Sequence, residues 1–148
     1  MRVSFNKPTL PPRELFGKAI QAIYDTGHIT NGPVVRQLEI DVEDILHVGH
    51  AVAVGCCTSG LILTLRCLGL EGKVALPSHT FFASAHSLVW NGLEPVFVDV
   101  EQDTWNISVA QLEEALEEED GIVAVMPVHV FGNPCDVDAL EELAGRND

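Results

Sequence analysis

Four short apolar runs, residues 51–54, 74–76, 96–100 and 122–126, alternate with stretches whose apolar residues recur every three or four positions. This alternation constrains the fold more than any other feature, because it switches between the periods of strand and helix. The runs 51–54 and 122–126 lack the polar alternation of a strand with one face in water, so both are expected to be strands buried on both faces, and 74–76 and 96–100 are expected to be strands as well. Leu15, Ala19, Ile20 and Ile23 follow Pro11-Pro12 and stop near Gly27, which predicts a first helix. Val35, Leu38, Val42, Ile45 and Leu46 follow Pro33, with Arg36, Glu39 and Glu43 on the other side, which predicts a second. Residues 61–68 are apolar enough for a buried helix, and another is expected to end at Asn91-Gly92. Ser108 and Gln111 form a capping-box pattern ahead of Leu112, Ala115 and Leu116, and Asp136 is placed to cap a last helix carrying Val137, Leu140 and Leu143. Strands that alternate with helices over the whole length predict an α/β fold: a three-layer αβα arrangement of a mostly parallel sheet with crossover helices on both faces.

The 148 residues, 47% of them hydrophobic, suffice for one domain with a core of its own. A formal charge of -14 and only eight scattered Lys and Arg disfavour nucleic acid and anionic membrane surfaces as partners. The beginning of the chain, Met1-Arg2-Val3-Ser4-Phe5-Asn6-Lys7-Pro8, has no apolar segment of a secretory signal, and no stretch approaches the roughly 18 apolar residues of a membrane span, so a cytoplasmic location is expected. Cys56, Cys57, Cys67 and Cys135 include an adjacent pair but no CxxC, and they are read as free thiols. His47 and His50 lack a carboxylate or thiol placed to complete a tetrahedral set, so no metal site is expected. The acidic residues around Glu113 and Glu118 read as a solvated helix face.

Ligands of open α/β sheets sit at the carboxyl ends of the strands, which directs attention to three turns. The first is Gly55-Cys56-Cys57-Thr58-Ser59-Gly60, whose small residues let backbone N–H groups at a helix start approach a phosphate; simple capping by Thr58 or Ser59 is the competing reading. In the second, Pro77-Ser78-His79-Thr80-Phe81-Phe82, one aromatic can stack on a planar ligand while the other packs inward, unless both belong to the core. The third, Pro127-Val128-His129-Val130-Phe131-Gly132, carries His129, either a hydrogen-bonding partner of a cofactor or a structural histidine.

Several blocks recur in a common order: Thr30-Asn31-Gly32-Pro33, Leu38-Glu39, Val48-Gly49-His50-Ala51-Val52-Ala53-Val54, Cys57-Thr58-Ser59-Gly60-Leu61, Pro77-Ser78-His79-Thr80-Phe81, Pro95-Val96-Phe97-Val98-Asp99-Val100 and Pro127-Val128-His129-Val130-Phe131-Gly132. In order and spacing they resemble the DegT/DnrJ/EryC1/StrS aminotransferases. The resemblance implies the aspartate-aminotransferase-like fold, type I among enzymes that use pyridoxal 5'-phosphate (PLP), and transfer of an amino group, commonly from glutamate, to a keto sugar nucleotide. It implies that Cys57, Thr58 and Ser59 hold the cofactor phosphate, that Phe81 stacks on the pyridine ring, that His129 lies close to the cofactor, and that Thr30, Asn31 and Gly32 lie near the substrate. It also implies a homodimer with active sites between subunits. Residues 1–33 would then be an N-terminal helix and substrate-side loop, and residues 34–148 the phosphate half of a large domain. Two departures stand out: Cys57 replaces a glycine of the family's Ser-Gly-Thr turn, and His86 stands where many members have asparagine.

The chemistry of such an enzyme needs a Schiff-base lysine and an aspartate that keeps the pyridinium nitrogen protonated. Lys7, Lys18 and Lys73 match none of the family's lysine positions, and Asp99 sits after a different strand. The resemblance therefore implies less than half of a full-length member, inactive by itself. A binding module for a phosphorylated ligand or nucleotide, and one half of a split enzyme, are the two other readings of the same residues.

Overall fold

The computed structural model describes residues 8–147; Lys7 and Asp148 lie outside them. The chain divides into two compact units, Met1–Ala53 and Val54–Asp148.

In the first unit the helix-period segments are helices, α1 (Arg13–Thr26) and α2 (Pro33–Leu46). Gly27 ends α1 in the left-handed region at φ 68°, its N–H bonded to the Ile23 carbonyl. Pro33 opens α2 at a position where its missing N–H costs no hydrogen bond. Neither helix has a buried residue. Their apolar stripes, with Leu15, Phe16, Leu38 and Ile45, are exposed.

The run 51–54 is not a strand, contrary to expectation. The Ala51 and Ala53 amides, two residues apart on one edge, donate to the Glu43 and Glu39 carboxylates at 3.1 and 3.0 Å. One turn of α2 separates those carboxylates, and Arg36 pairs with both. Side chains thus take the place of a neighbouring strand along this edge. The Ala53 amide, then Arg36, holds the Glu39 carboxyl below the ordinary carboxylate range.

The second unit runs α3 (Cys57–Leu68), β1 (Lys73–Pro77), α4 (Ala83–Trp90), β2 (Glu94–Val98), α5 (Val109–Glu118), β3 (Ile122–Val125), a 3-10 turn (Val130–Gly132) and α6 (Val137–Arg146). The strands form a parallel sheet in the order β2-β1-β3, with Ala75 opposite Val96 on one side and Val125 on the other. Because side chains alternate along a strand, β1 feeds two cores. Val74 and Leu76 pack with Leu65, Leu88 and Leu93 on the α3/α4 face, while Ala75 packs with Val98, Ile107, Leu112 and Leu143 on the α5/α6 face. Helices therefore cover both faces of a small parallel sheet, as the alternation of periods predicts.

Several details differ from expectation. Helix α3 starts at Cys57 rather than residue 61, so the small residues are its first turn. Strand β2 ends at Val98 rather than residue 100, because the Val100 amide bonds to its neighbour's Asp99 carboxylate and Val100 then bridges Ile107 in antiparallel fashion. Ser108 is the N-cap residue of α5, but its side chain accepts no capping bond. Gln111 reaches Glu114 at 3.0 Å instead of turning back, so the capping box does not form. Asp136 does cap α6, accepting from the Ala139 amide at 3.1 Å.

Candidate functional site

Three turns leave the carboxyl ends of the parallel strands, covering residues 78–82, 99–108 and 126–136. Another turn, at the start of α3, is fixed by Leu65 in the core and by the Asn91 side chain, which donates to the Ile62 carbonyl at 3.2 Å.

At that start Cys56 is extended (φ -164°, ψ 164°), and the first helical bond runs from the Gly60 amide to the Cys56 carbonyl at 3.1 Å. The amides of Cys57, Thr58 and Ser59 precede it, so no helical carbonyl lies within their reach. Neither hydroxyl caps the helix: Cys56 occupies the cap position without a side-chain cap bond, and Ser59 Oγ lies 3.3 Å from Cys56 Sγ. The Ser59 hydroxyl, then the Ser59 and Thr58 amides, hold the exposed Cys56 thiol below the ordinary cysteine value. Helix-start amides without a carbonyl partner favour an anionic oxygen. Cys57, the departure from the family's glycine, is exposed at the first helical position, so its side chain lies in solvent rather than filling the turn. A phosphate therefore fits the donors this turn offers.

Phe81 and Phe82 are both exposed, at 67% and 61%, with ring centroids 4.2 Å apart. The expectation that one of them packs inward fails. The inward positions of α4 are Ala83, Ser84, Ser87 and Leu88, a helical spacing that leaves Phe82 outside, against His86. Phe81 is free to face a ligand.

His129 is exposed on the turn after β3, and its Nδ1 accepts from the Cys135 amide at 3.0 Å. With Nδ1 acting as acceptor, the neutral ring carries its proton on Nε2 and presents a donor. Two residues on, Phe131 has φ 55°, and Trp105 on the turn after β2 has φ 62°, both in the left-handed region that bulky residues avoid. His79, from the turn after β1, lies between them, with ring centroids 5.0 Å from Trp105 and 6.2 Å from Phe131. Each of the three strands thus contributes one ring to a cluster the sequence did not reveal.

Thr30, Asn31 and Gly32 belong to the first unit, on the connection from α1 to α2. There Asn31 and Gly32 line a cavity of about 420 Å³ with Arg36, Glu39 and Ala53. Cys57, Thr58, Ser59, Phe81 and His129 all belong to the second unit. Its one lysine, Lys73, opens β1 at the amino end of the sheet, away from these turns, and pairs with Glu119. Lys18 lies on α1. The Asp99 carboxylate is held by the Val100 amide. Among the described residues no three His, Cys, Asp or Glu side chains gather to hold a metal ion, and no helix is long and apolar enough to cross a membrane. A cavity of about 320 Å³ beside β3 is lined by apolar side chains such as Leu116, Val123 and Leu140, with Glu141 its one ionisable neighbour, and it offers no chemistry.

The family model of the DegT/DnrJ/EryC1/StrS aminotransferases matches residues 13–148. A dTDP-4-amino-4,6-dideoxy-D-glucose transaminase of Shigella dysenteriae is 40% identical over 141 residues, covering 95% of this chain and 38% of the relative. The chain thus spans about two fifths of the length of the curated relatives it matches. Among solved structures, DesI in the presence of its TDP-sugar product is 36% identical with a TM-score of 0.84, covering 94% of this chain and 35% of that one. The Streptococcus pneumoniae protein Spr1654 in its PLP form is 27% identical with a TM-score of 0.87, covering 97% of this chain and 36% of that one. Motif order, a parallel sheet with helices on both faces and the match over residues 13–148 agree: the chain belongs to the DegT/DnrJ/EryC1/StrS aminotransferase family.

Proposed function

We propose that this chain provides the phosphate-holding half of a PLP-dependent aminotransferase that moves an amino group from an amino acid, glutamate, to a keto sugar nucleotide. The observation that carries the reading is the start of α3, where the amides of Cys57, Thr58 and Ser59 precede the first helical bond and no side chain caps them, within a chain of this family. In this reading the amides of Cys57, Thr58 and Ser59 and the hydroxyls of Thr58 and Ser59 hold the cofactor phosphate. Phe81 supplies a ring face to the pyridine, and His129 offers its Nε2–H to an acceptor oxygen. Thr30, Asn31 and Gly32 serve the sugar substrate. When bound, the cofactor acts as an electron sink for the carbon that gains or loses the amino group. Covalent attachment also needs a lysine, and Lys73, the one lysine of the second unit, stands at the amino end of the sheet, so in this reading the 148 residues alone are inactive.

Titration of the 148-residue chain with inorganic phosphate and with PLP is expected to show weak binding that falls at least tenfold when Thr58 and Ser59 are both replaced by alanine. Borohydride treatment of the PLP mixture is expected to leave no stable lysine adduct in the mass spectrum. Binding that ignores the double substitution would overturn the role of the turn, and a stoichiometric adduct on Lys7, Lys18 or Lys73 would overturn the inactivity.

The partner in this reading is a second copy of the chain. Exposed Phe82, Val89 and Trp90 in the second unit, and Leu15 and Phe16 in the first, support it: burying a few hundred Å² of such surface at about 25 cal/mol per Å² outweighs a charge repulsion that salt screens. Sedimentation at micromolar concentration is expected to find a dimer or larger; a monodisperse 16.1 kDa monomer would contradict this.

A further inference from the structure

Asn106 carries more than its place in a surface connection requires. It is 4% exposed although it sits between β2 and α5, and its side chain is bonded at both ends. Nδ2 donates to the Asn133 carbonyl at 3.2 Å and to the Pro134 carbonyl at 2.9 Å, while Oδ1 accepts from the Val130 amide at 3.1 Å. All three partners belong to the turn after β3, 24 to 28 residues away in sequence. Its own main chain is anchored too, its carbonyl accepting from the Glu101 amide at 2.9 Å.

The turn it grips is the one that holds His129. One end of that turn is tied by Cys135, whose amide donates to His129 Nδ1 and whose thiol donates to the Val128 carbonyl at 3.1 Å. Between the ties, Phe131 is kept at φ 55°. A left-handed phenylalanine persists only where its surroundings over-determine the backbone, and the three Asn106 bonds supply that determination. The bond fixing the His129 tautomer comes from Cys135, the residue that follows Pro134, so its donor stays in line only while the Pro134 carbonyl stays in place.

We propose that Asn106 is a positioning residue for His129: by clamping the turn 130–134 it keeps the Cys135 amide on Nδ1 and so holds the imidazole in one orientation and one tautomer, with Nε2–H outward. Neither aspartate nor alanine fits the role. Aspartate has the same shape but would set an oxygen against two carbonyls in a buried place, and alanine would leave the Val130 amide and both carbonyls without this partner. What the positioned donor serves rests on the aminotransferase reading above; the positioning itself does not.

The test reads the imidazole directly. Long-range proton–nitrogen correlation spectra of the 148-residue chain resolve the tautomer of each histidine, with His129 assigned by the signal lost in His129→Gln. In the unaltered protein His129 is expected as a single Nε2–H tautomer. In Asn106→Asp, and in Asn106→Ser should the aspartate variant fail to fold, its signals are expected to move to the averaged values of a free imidazole. Leu88→Ala, a core substitution on the opposite face of the sheet, is expected to lower stability but leave the His129 signature unchanged, whereas a merely structural role for Asn106 would make the two variants behave alike. A single Nε2–H tautomer surviving in the folded Asn106 variant, an averaged one in the unaltered protein, or the same change in Leu88→Ala would each overturn the proposal. Loss of phosphate binding on removal of Thr58 and Ser59 bears on the aminotransferase reading alone, so the two fail separately.

Discussion

Alanine in place of Leu76 is expected to lower the unfolding free energy by about 2–5 kcal/mol, the range for truncating a fully buried leucine whose site cannot collapse. Leu76 has no exposed surface and sits on the central strand, packed with Leu65, Val74, Leu88 and Leu93. A central strand paired on both sides is the least able to shift into the space left behind. Leu63, 53% exposed on α3, provides the comparison: its replacement by alanine is expected to change stability by no more than about 0.5 kcal/mol. Urea denaturation of the three proteins measures both, with an unchanged slope showing that only stability moved. A loss under about 1 kcal/mol at Leu76 would mean that the α3/α4 face is not packed as described.

The second large effect is expected at Gly72, where alanine should cost about 2–4 kcal/mol by combining backbone strain with a clash. Gly72 has φ 124°, and a Cβ there would lie 2.9 Å from the Gly121 carbonyl oxygen and 3.2 Å from Val123 Cγ1. That carbonyl cannot give way freely, because it accepts from the Lys73 amide at 2.9 Å and so sets the first contact between β1 and β3. On the other side, the Gly72 carbonyl accepts from the Glu94 amide at 3.1 Å where β2 begins. One methyl group would therefore disturb the register of the whole sheet at its amino end. Gly69 isolates the clash: it is also left-handed, at φ 63°, but a Cβ there meets nothing within 4 Å. Thermal unfolding of the two alanine variants should show the greater loss at Gly72; equal losses would mean that only the backbone conformation matters.

Helices α1, α2 and α6 and strands β1 and β3 were legible in the sequence because each announces itself locally. Pro33 marks a helix start, Gly27 a helix end and Asp136 a cap, all through the geometry of their own backbone. The family, too, was legible, since it depends on the order of short blocks rather than on where they meet in space. The candidate site was legible in part: the start of α3, Phe81 and His129 all fall on turns that the pattern of strands and helices marks out, whereas Asn106 is one more polar residue in a loop until the turn 130–134 folds against it.

The segment 51–54 shows where local reading stops. Its composition suits a buried strand, but a strand also needs hydrogen-bond partners along its edges, and the Ala51 and Ala53 amides find theirs in Glu43 and Glu39. The same holds at Ser108 and Gln111, whose spacing allows a capping box while Gln111 bonds to Glu114. The helical and strand periods, the punctuation between elements and the family follow from local motifs, set by side-chain spacing and backbone sterics within a few residues. Which amide meets which acceptor, which ring faces solvent and which loop holds His129 are settled in the folded chain alone, because those choices depend on groups that lie far apart in the sequence and compete for the same partners.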